Sequence, residues 1–389
     1  MIPAWKIRRE LGRVVCQFIG LPRHIASWPA RRREPALRAA HDRDFDRVVK
    51  VATGTVPLAK KPAIFLIYQP KGIAASTIVT LDWLAAHGYA PVVVANSPVS
   101  DADRALLLDH AAMVVQRPNF GYDFGGYRDA LRLLERAAPD PERLIILNDS
   151  AWLPMVPDLL TRMEARDDAD ILGLLQDEKV IHDNRGGTPS DRRHVESYFY
   201  LFNRGALQSE AFKTFWRDYR MTDYKPHTIK FGELGFSKQM VAAGLRIDAL
   251  TKRSIFLERL AQQDDDFIAL TLKYAAYGDK DLRLQGDRLR ALPRSAPDWR
   301  AQVLEHIRRC ANRKRFNSAF CYANDRIFGT MFMKKSTEEI FSELRLQYMR
   351  AVRDGHLPPP PPEIGAEIAA LVHRQFPGFH SEQPQSGAA

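Results

Sequence analysis

Three short stretches of this 389-residue chain place acidic and amide side chains where a polar ligand could be held. Asn148, Asp149 and Ser150 directly follow the apolar run Leu144–Leu147. A carboxylate at the exit of an apolar strand can hold a divalent cation, and a cation there neutralises a departing diphosphate. The same residue types also cap turns and helix starts. Asn119–Tyr127 (NFGYDFGGY) sets Gly121, Gly125 and Gly126 among Asn119, Tyr122 and Asp123, ahead of a helix expected from Tyr127 to Ala137. Backbone N–H groups at a helix start attract anions such as phosphates, although glycines also suit a plain strand-to-helix turn. Arg128 beside this polar set tilts the reading towards a ligand loop. Glu233 stands in FGELGFS, just ahead of another helix. A carboxylate there is favourable with the helix dipole; opposite a departing phosphate it would be a general base. His194, Glu196 and Tyr198 alternate, so one strand face would carry all three. A His/Glu pair can ligate a metal, but without a third ligand hydrogen bonding is the simpler role. No GxGxxG, P-loop, GxSxG or HExxH motif occurs.

The elements around these residues alternate. Ala63–Tyr68, Pro91–Ala95, Met113–Gln116, Leu144–Leu147 and Ile171–Leu175 are short apolar runs of the kind that form buried parallel strands. Helical spacing separates them at Ser76–His87, at Asp101–Ala111 with Asp101 as its expected cap, and at Pro157–Ala165. This order predicts a doubly wound α/β sheet, whose ligands bind beyond the carboxyl ends of the strands. The loop Gln69–Ser76, Asn119–Gly126 and Asn148–Ser150 all fall there. Further on, Asp183–Asp191 reads as a polar loop, Glu196–Phe202 as one strand, and Leu207–Arg220 as an amphipathic helix. Phe212, Phe215 and Trp216 on that helix have core spacing rather than that of a sugar-stacking platform. The expected organisation is a basic arm (1–60), a main α/β domain (61–260), a helical region (261–355) and a Pro-rich linker with a short helix and tail (356–389).

Composition narrows the class. Hydrophobic residues at 45% and charged residues at 27% are ordinary for a chain with a packed core. No apolar run approaches the length of a membrane-spanning helix. Three cysteines are too few for a disulfide framework, form no Cys-x-x-Cys pair of the kind that redox or structural zinc sites use, and suit a reducing cytoplasm. Of the formal charge of +10, residues 1–50 contribute most, with twelve basic residues against five acidic ones. Arginines interleaved with Trp5, Phe18, Ile19 and Trp28 suit an anionic membrane surface, or else a solvated arm. No nucleic-acid-binding module is present in the pattern.

Taken together, NFGYDFGGYRDAL (119–131), LIILNDSAWLP (144–154), HVESYFYLF (194–202), AFKTFW (211–216) and GELGFSKQMVAAG (232–244) resemble the rhamnan synthesis F family of bacterial polysaccharide glycosyltransferases, over about residues 62–250. The resemblance implies a GT-A-like, Rossmann-type sheet flanked by helices, with a mostly helical C-terminal extension. It implies transfer of a sugar, rhamnose being the one suggested, from a nucleotide-diphosphate donor to a lipid-linked or polysaccharide acceptor at the inner face of the membrane, with inversion. Asn148–Ser150 stands where GT-A enzymes carry Asp-x-Asp, so Asp149 becomes the expected ligand of Mn²⁺ or Mg²⁺; with a single Asp there, metal-independent transfer stays open. The resemblance places Asn119, Gly121, Tyr122, Asp123, Gly125 and Tyr127 near the nucleotide or donor sugar, and makes Glu233 the base. His194, Glu196 and Tyr198 are its candidates for sugar contact, with Glu196 standing where the family usually has Gln. The competing expectation is a non-catalytic glycan-binding or scaffold protein of the same fold.

Overall fold

The computed structural model describes residues 28–379 apart from residues 30, 139, 179, 182–189, 192, 314 and 315. Of the expected polar loop Asp183–Asp191, all but a two-residue strand lies outside the described residues, as does the basic segment 1–27. Within the rest of the expected arm, residues 31–43 form helix α1, followed by α2 (Phe45–Val48) and strand β1 (Lys50–Thr53). This stretch is folded onto the molecule. Arg128 places its two terminal nitrogens 2.7 and 2.9 Å from the two oxygens of Asp42, and His41 Nε2 lies 2.9 Å from buried Asp129.

Four parallel strands follow as the apolar runs predict: β2 (Pro62–Ile67), β3 (Ala90–Ala95), β4 (Met113–Gln116) and β5 (Arg143–Asn148). Helices α3 (Ala75–Ala86), α4 (Asp101–His110) and α5 (Tyr122–Ala137) connect them. The cap of α4 is Ser100, whose Oγ accepts from Asp103 N; Asp101 is already helical. Beyond β5 come β6 (Ala151–Trp152), α6 (Leu159–Glu164), β7 (Ile171–Asp177) and the small antiparallel pair β8 (Val180–Ile181) and β9 (Ser190–Asp191). Next are β10 (His194–Val195) and β11 (Phe199–Asn203), so the strand expected over Glu196–Phe202 is broken by a turn. The expected long helix is likewise two helices, α7 (Arg204–Gln208) and α8 (Glu210–Asp218). After α9 (Lys225–His227) a π-helix spans Thr228–Glu233 and runs into α10 (Leu234–Ala242) and β12 (Ile247–Lys252).

The nine-stranded sheet runs β1-β4-β3-β2-β5-β11-β7-β10, with β12 on β7. It is mixed rather than wholly parallel, because β11 pairs antiparallel with both β5 and β7. Alternation along the strands sorts the core. Phe65, Ile67, Val93 and Leu147 pack with Leu81 and Leu84 of α3 on one face. Ile64, Leu66, Val94 and Ile146 pack with Phe124 and Tyr127 of α5 on the other. Phe212, Phe215 and Trp216 are buried in that second core, as their spacing predicts. The chain steps from β2 to β3 to β4 and then returns to place β5 on the other side of β2. That reversal is the topological switch point where open α/β sheets bind ligands.

The C-terminal part is helical: α11 (Arg253–Ala261), α12 (Asp265–Lys273), α13 (Lys280–Ala291), α14 (Trp299–Arg313), α15 (Phe316–Ala319) and α16 (Cys321–Phe328). A short strand β13 (Met333–Lys334) then pairs antiparallel with β6, and α17 (Glu339–Arg353) and α18 (Pro362–Gln375) are the last elements among the described residues. Trp152 and Met155 share a core with Met333, Leu344, Ile364 and Ile368, so this part is packed onto the sheet's ligand edge. Among the described residues no helix is long and apolar enough to cross a membrane.

Candidate active site

Asp149 sits at the switch point. Its backbone N–H continues the ladder to Leu66, and its Oδ2 accepts from Tyr68 N and Gln69 Nε2, both at 3.0 Å. Gln69 also donates to Thr77 Oγ1 and accepts from Ala74 N, so one amide orders the loop between β2 and α3. Asn148 turns the other way. Its Nδ2 donates to Asp123 Oδ2 at 3.1 Å while its Oδ1 accepts from Ser150 N.

Asp123 is in the first turn of α5, which starts five residues earlier than glycine spacing suggests. Gly121, at φ +82°, turns the chain into it. Gly125 and Gly126 are helical and there for close approach: a Cβ on Gly125 would lie 2.4 Å from the Phe120 carbonyl oxygen, and one on Gly126 would lie 2.3 Å from Leu66. Burial, then the charges of Asp149 and Glu233, push the Asp123 carboxyl up to about 6, against Lys225 and the Asn148 hydrogen bond. Those charges tie Asp123, Asp149 and Glu233 into one acidic cluster.

Glu233 ends the π-helix, an irregularity that often marks functional sites. Gly232 beside it lies against the Phe124 ring, 2.7 Å from where a Cβ would stand, which brings the π-helix to the start of α5. Ser197 N donates to Glu233 Oε1 at 2.9 Å, and His194 Nε2 stands 4.0 Å from Oε2. Tyr127 is fully buried and donates to Ser197 O. It therefore supports the turn that holds Glu233. Arg128 too is structural, spent on Asp42.

Asn119 lies at the rim, where its Oδ1 accepts from Asn96 Nδ2, and Tyr122 reaches the Asp223 carbonyl. The face expected to carry His194, Glu196 and Tyr198 is divided. Tyr198 is buried, stacked on Phe332 with ring centroids 4.0 Å apart. His194 and Glu196 meet a third ligand that the sequence did not show. Asp177 pairs with His194 across the strands, and the three offer ligand atoms within 4.8 Å of one another. One imidazole and two carboxylates suit a divalent transition metal. Asp123, Asp149 and Glu233 do not form such a three-ligand set. Asp149 fits the other kind of site, in which one or two carboxylates hold a Mg²⁺ or Mn²⁺ that is otherwise bound by phosphate oxygens and water.

Several residues at this edge carry no signal in the sequence. Tyr68 is 55% exposed at the end of β2, an open aromatic face beside Asp149. From the C-terminal part, Lys335 N donates to Ser150 O, and Lys335 Nζ donates to Ser76 Oγ at 3.0 Å. Glu367 of α18 accepts from Ser76 N, Ser76 Oγ and Trp152 Nε1, each at 2.8 Å. These contacts join positions about 180 to 290 residues apart, and no local spacing betrays them.

Comparison with known proteins agrees with the motifs. An uncharacterized protein, y4gN of Sinorhizobium fredii (strain NBRC 101917 / NGR234), is 33% identical over 253 residues, 64% of this chain and 62% of the relative. The chain thus spans less than two thirds of that relative's length. Solved structures to which the chain is similar include the galactosyltransferase LgtC with donor and acceptor sugar analogs (16% identity, 49% of this chain and 74% of that one, TM-score 0.31). Another is the mannosyltransferase PcManGT from Pyrobaculum calidifontis with GDP-Man and Mn²⁺ (13% identity, 89% and 96%, TM-score 0.29). At such scores the sheet order itself, not the superposition, carries the reading of the fold. The model of the RgpF family, described as rhamnan synthesis protein F, matches residues 91–269, which hold the Asn119–Tyr127 stretch, Asp149, the His194–Tyr198 segment and Glu233. The family that the motifs resemble is thus the one whose model matches this central region.

Proposed function

We propose that this protein is a glycosyltransferase that moves a sugar, rhamnose being the one its family name suggests, from a nucleoside-diphosphate donor to a growing polysaccharide or lipid-linked glycan with inversion. The observation that carries this reading is the meeting of Asp149, Asp123 and Glu233 at the switch point of the sheet, where charge on each is felt by Asp123. In the reaction the acceptor hydroxyl gives its proton to Glu233 Oε2, Oε1 being held by Ser197 N. The acceptor oxygen bonds to the anomeric carbon as the bond from that carbon to the diphosphate breaks, through an oxocarbenium-like state. Tyr68 stacks on the nucleobase, and Asp123 with Asn148 orients the donor sugar. A divalent cation at Asp149, when bound, supplies charge neutralisation for the leaving diphosphate.

A thermal-shift and calorimetric screen of UDP, GDP, dTDP and their sugars, with and without Mn²⁺ or Mg²⁺, tests this. One nucleotide class is expected to bind, and Asp149→Ala to weaken it at least tenfold. Folded protein that binds none of them contradicts the reading and favours a glycan-binding scaffold. The basic segment 1–27 would keep the enzyme beside its acceptor on an anionic membrane. Removing residues 1–27, which spares the packed α1, is expected to shift the protein from the membrane fraction to the supernatant; unchanged fractionation counts against that role.

A further inference from the structure

We infer that Lys335, delivered by the C-terminal strand β13, is a binding residue for the donor's diphosphate; the inference rests on the glycosyltransferase reading above. The charge balance at the site poses the problem. Asp149, Asp123 and Glu233 are all acidic, and a diphosphate entering beside them meets repulsion unless a cation stands close. The resemblance to other transferases suggests a metal there, but Asp149 alone is a sparse ligand set. The fold supplies cations of its own: Lys225 acts on Asp123, and Lys335 is the one whose charge acts on Asp149. Its backbone is pinned to the residue after Asp149 by the bond from Lys335 N to Ser150 O at 2.8 Å. Strand pairing of Lys334 with Ala151 fixes the register.

The ammonium is held in a set direction. Nζ donates to Ser76 Oγ, Ser76 is fixed by Glu367 through both its N–H and its hydroxyl, and the Trp152 indole N–H holds the same carboxylate. An ammonium has three N–H donors. Ser76 takes one, and the others remain for phosphate oxygens. The Lys335 charge interacts with both Asp149 and Glu367, yet neither carboxylate comes within ion-pair distance of it, while burial lowers its affinity for a proton. A cation buried beside acids without direct pairing gains most from an anionic ligand. The ammonium also lies 5.7 Å from the centroid of the Trp152 ring, which fixes its direction further.

The test compares nucleoside diphosphates with the matching nucleosides by calorimetry, in EDTA and in Mn²⁺, on wild type, Lys335→Met, Lys335→Arg and Ser76→Ala. Lys335→Met is expected to weaken the diphosphate at least tenfold while nucleoside affinity stays within twofold, and Lys335→Arg to restore most of the loss. Ser76→Ala keeps the charge but frees the stem, so its smaller loss falls on the diphosphate alone. Equal loss for nucleoside and diphosphate, or no loss in folded Lys335→Met, overturns the assignment to Lys335. If wild type binds no nucleotide, the glycosyltransferase reading falls and the assignment to Lys335 falls with it, whereas a failure confined to the variants overturns the assignment alone.

Discussion

Glu233→Gln lowers kcat by a factor of about 10² to 10⁴, the range lost with a general base, and leaves donor affinity within a few-fold of wild type. The substitution separates charge from shape. A glutamine Oε1 still accepts from Ser197 N, so the turn that Tyr127 supports from below stays in place. What disappears is the oxygen able to take the acceptor's proton. His194, 4.0 Å from Oε2, lies on the same side of the carboxylate. Its ring is buried, so it is poorly placed to reach an incoming hydroxyl instead. Quenched-flow product formation with saturating donor is the direct measurement, with calorimetric donor binding beside it. A kcat within tenfold of wild type at normal donor affinity removes Glu233 from the role and turns attention to the Asp177–His194–Glu196 group.

How much of this was open to sequence reasoning depends on whether the cause of each feature was local. The four parallel strands were legible because each is an apolar run buried on both faces, and Met113–Gln116 is recovered residue for residue. Asp149 and Asn148 were legible for the same reason, since their place follows from where β5 ends. The start of α5 was not. Gly125 and Gly126 look like loop residues, but what demands them is the Phe120 carbonyl and the Leu66 side chain packed against the helix. The alternation from Glu196 to Phe202 looks like one strand, yet Ser197 and Tyr198 turn away because Ser197 N is bound by Glu233 from 36 residues on. Tyr127 fits the family signature, but no local spacing shows that its hydroxyl donates to Ser197 O seventy residues on. Lys335 and Glu367 lie in a region without motifs; the pairing of β13 with β6 brings the first to the site, and the packing of α18 on α3 brings the second. The irregular or distant elements thus supply much of the site's geometry, and the regular sheet supplies its location.

Asp123→Asn makes the ligand-free protein more stable at pH 7.5, by about 3 kcal/mol on the scale of 1.4 kcal/mol per unit of pKa. The sign follows from linkage. Burial and the charges of Asp149 and Glu233 raise the Asp123 carboxyl to about 6 in the folded chain, above the unfolded value near 4. Between those values the folded state binds more protons, so stability falls as the pH rises through that window. Above it the ionised carboxylate is a standing cost. Asparagine is close to the shape of the protonated acid and can keep the Asn148 hydrogen bond while removing the repulsion. Urea unfolding of both proteins across pH 4 to 7.5 checks it: the gap should widen from near zero at the acidic end to its full value at the neutral end. A variant that is less stable at neutral pH, or a gap independent of pH, sinks the electrostatic account. The same substitution is expected to weaken donor binding, which is the functional half of the prediction. An acid that destabilises the empty fold at neutral pH and strengthens the occupied one is a residue placed for its ligand, a trade between stability and activity common in active sites. Were the protein a scaffold without a donor, Asn at this position would carry the stability gain and no loss.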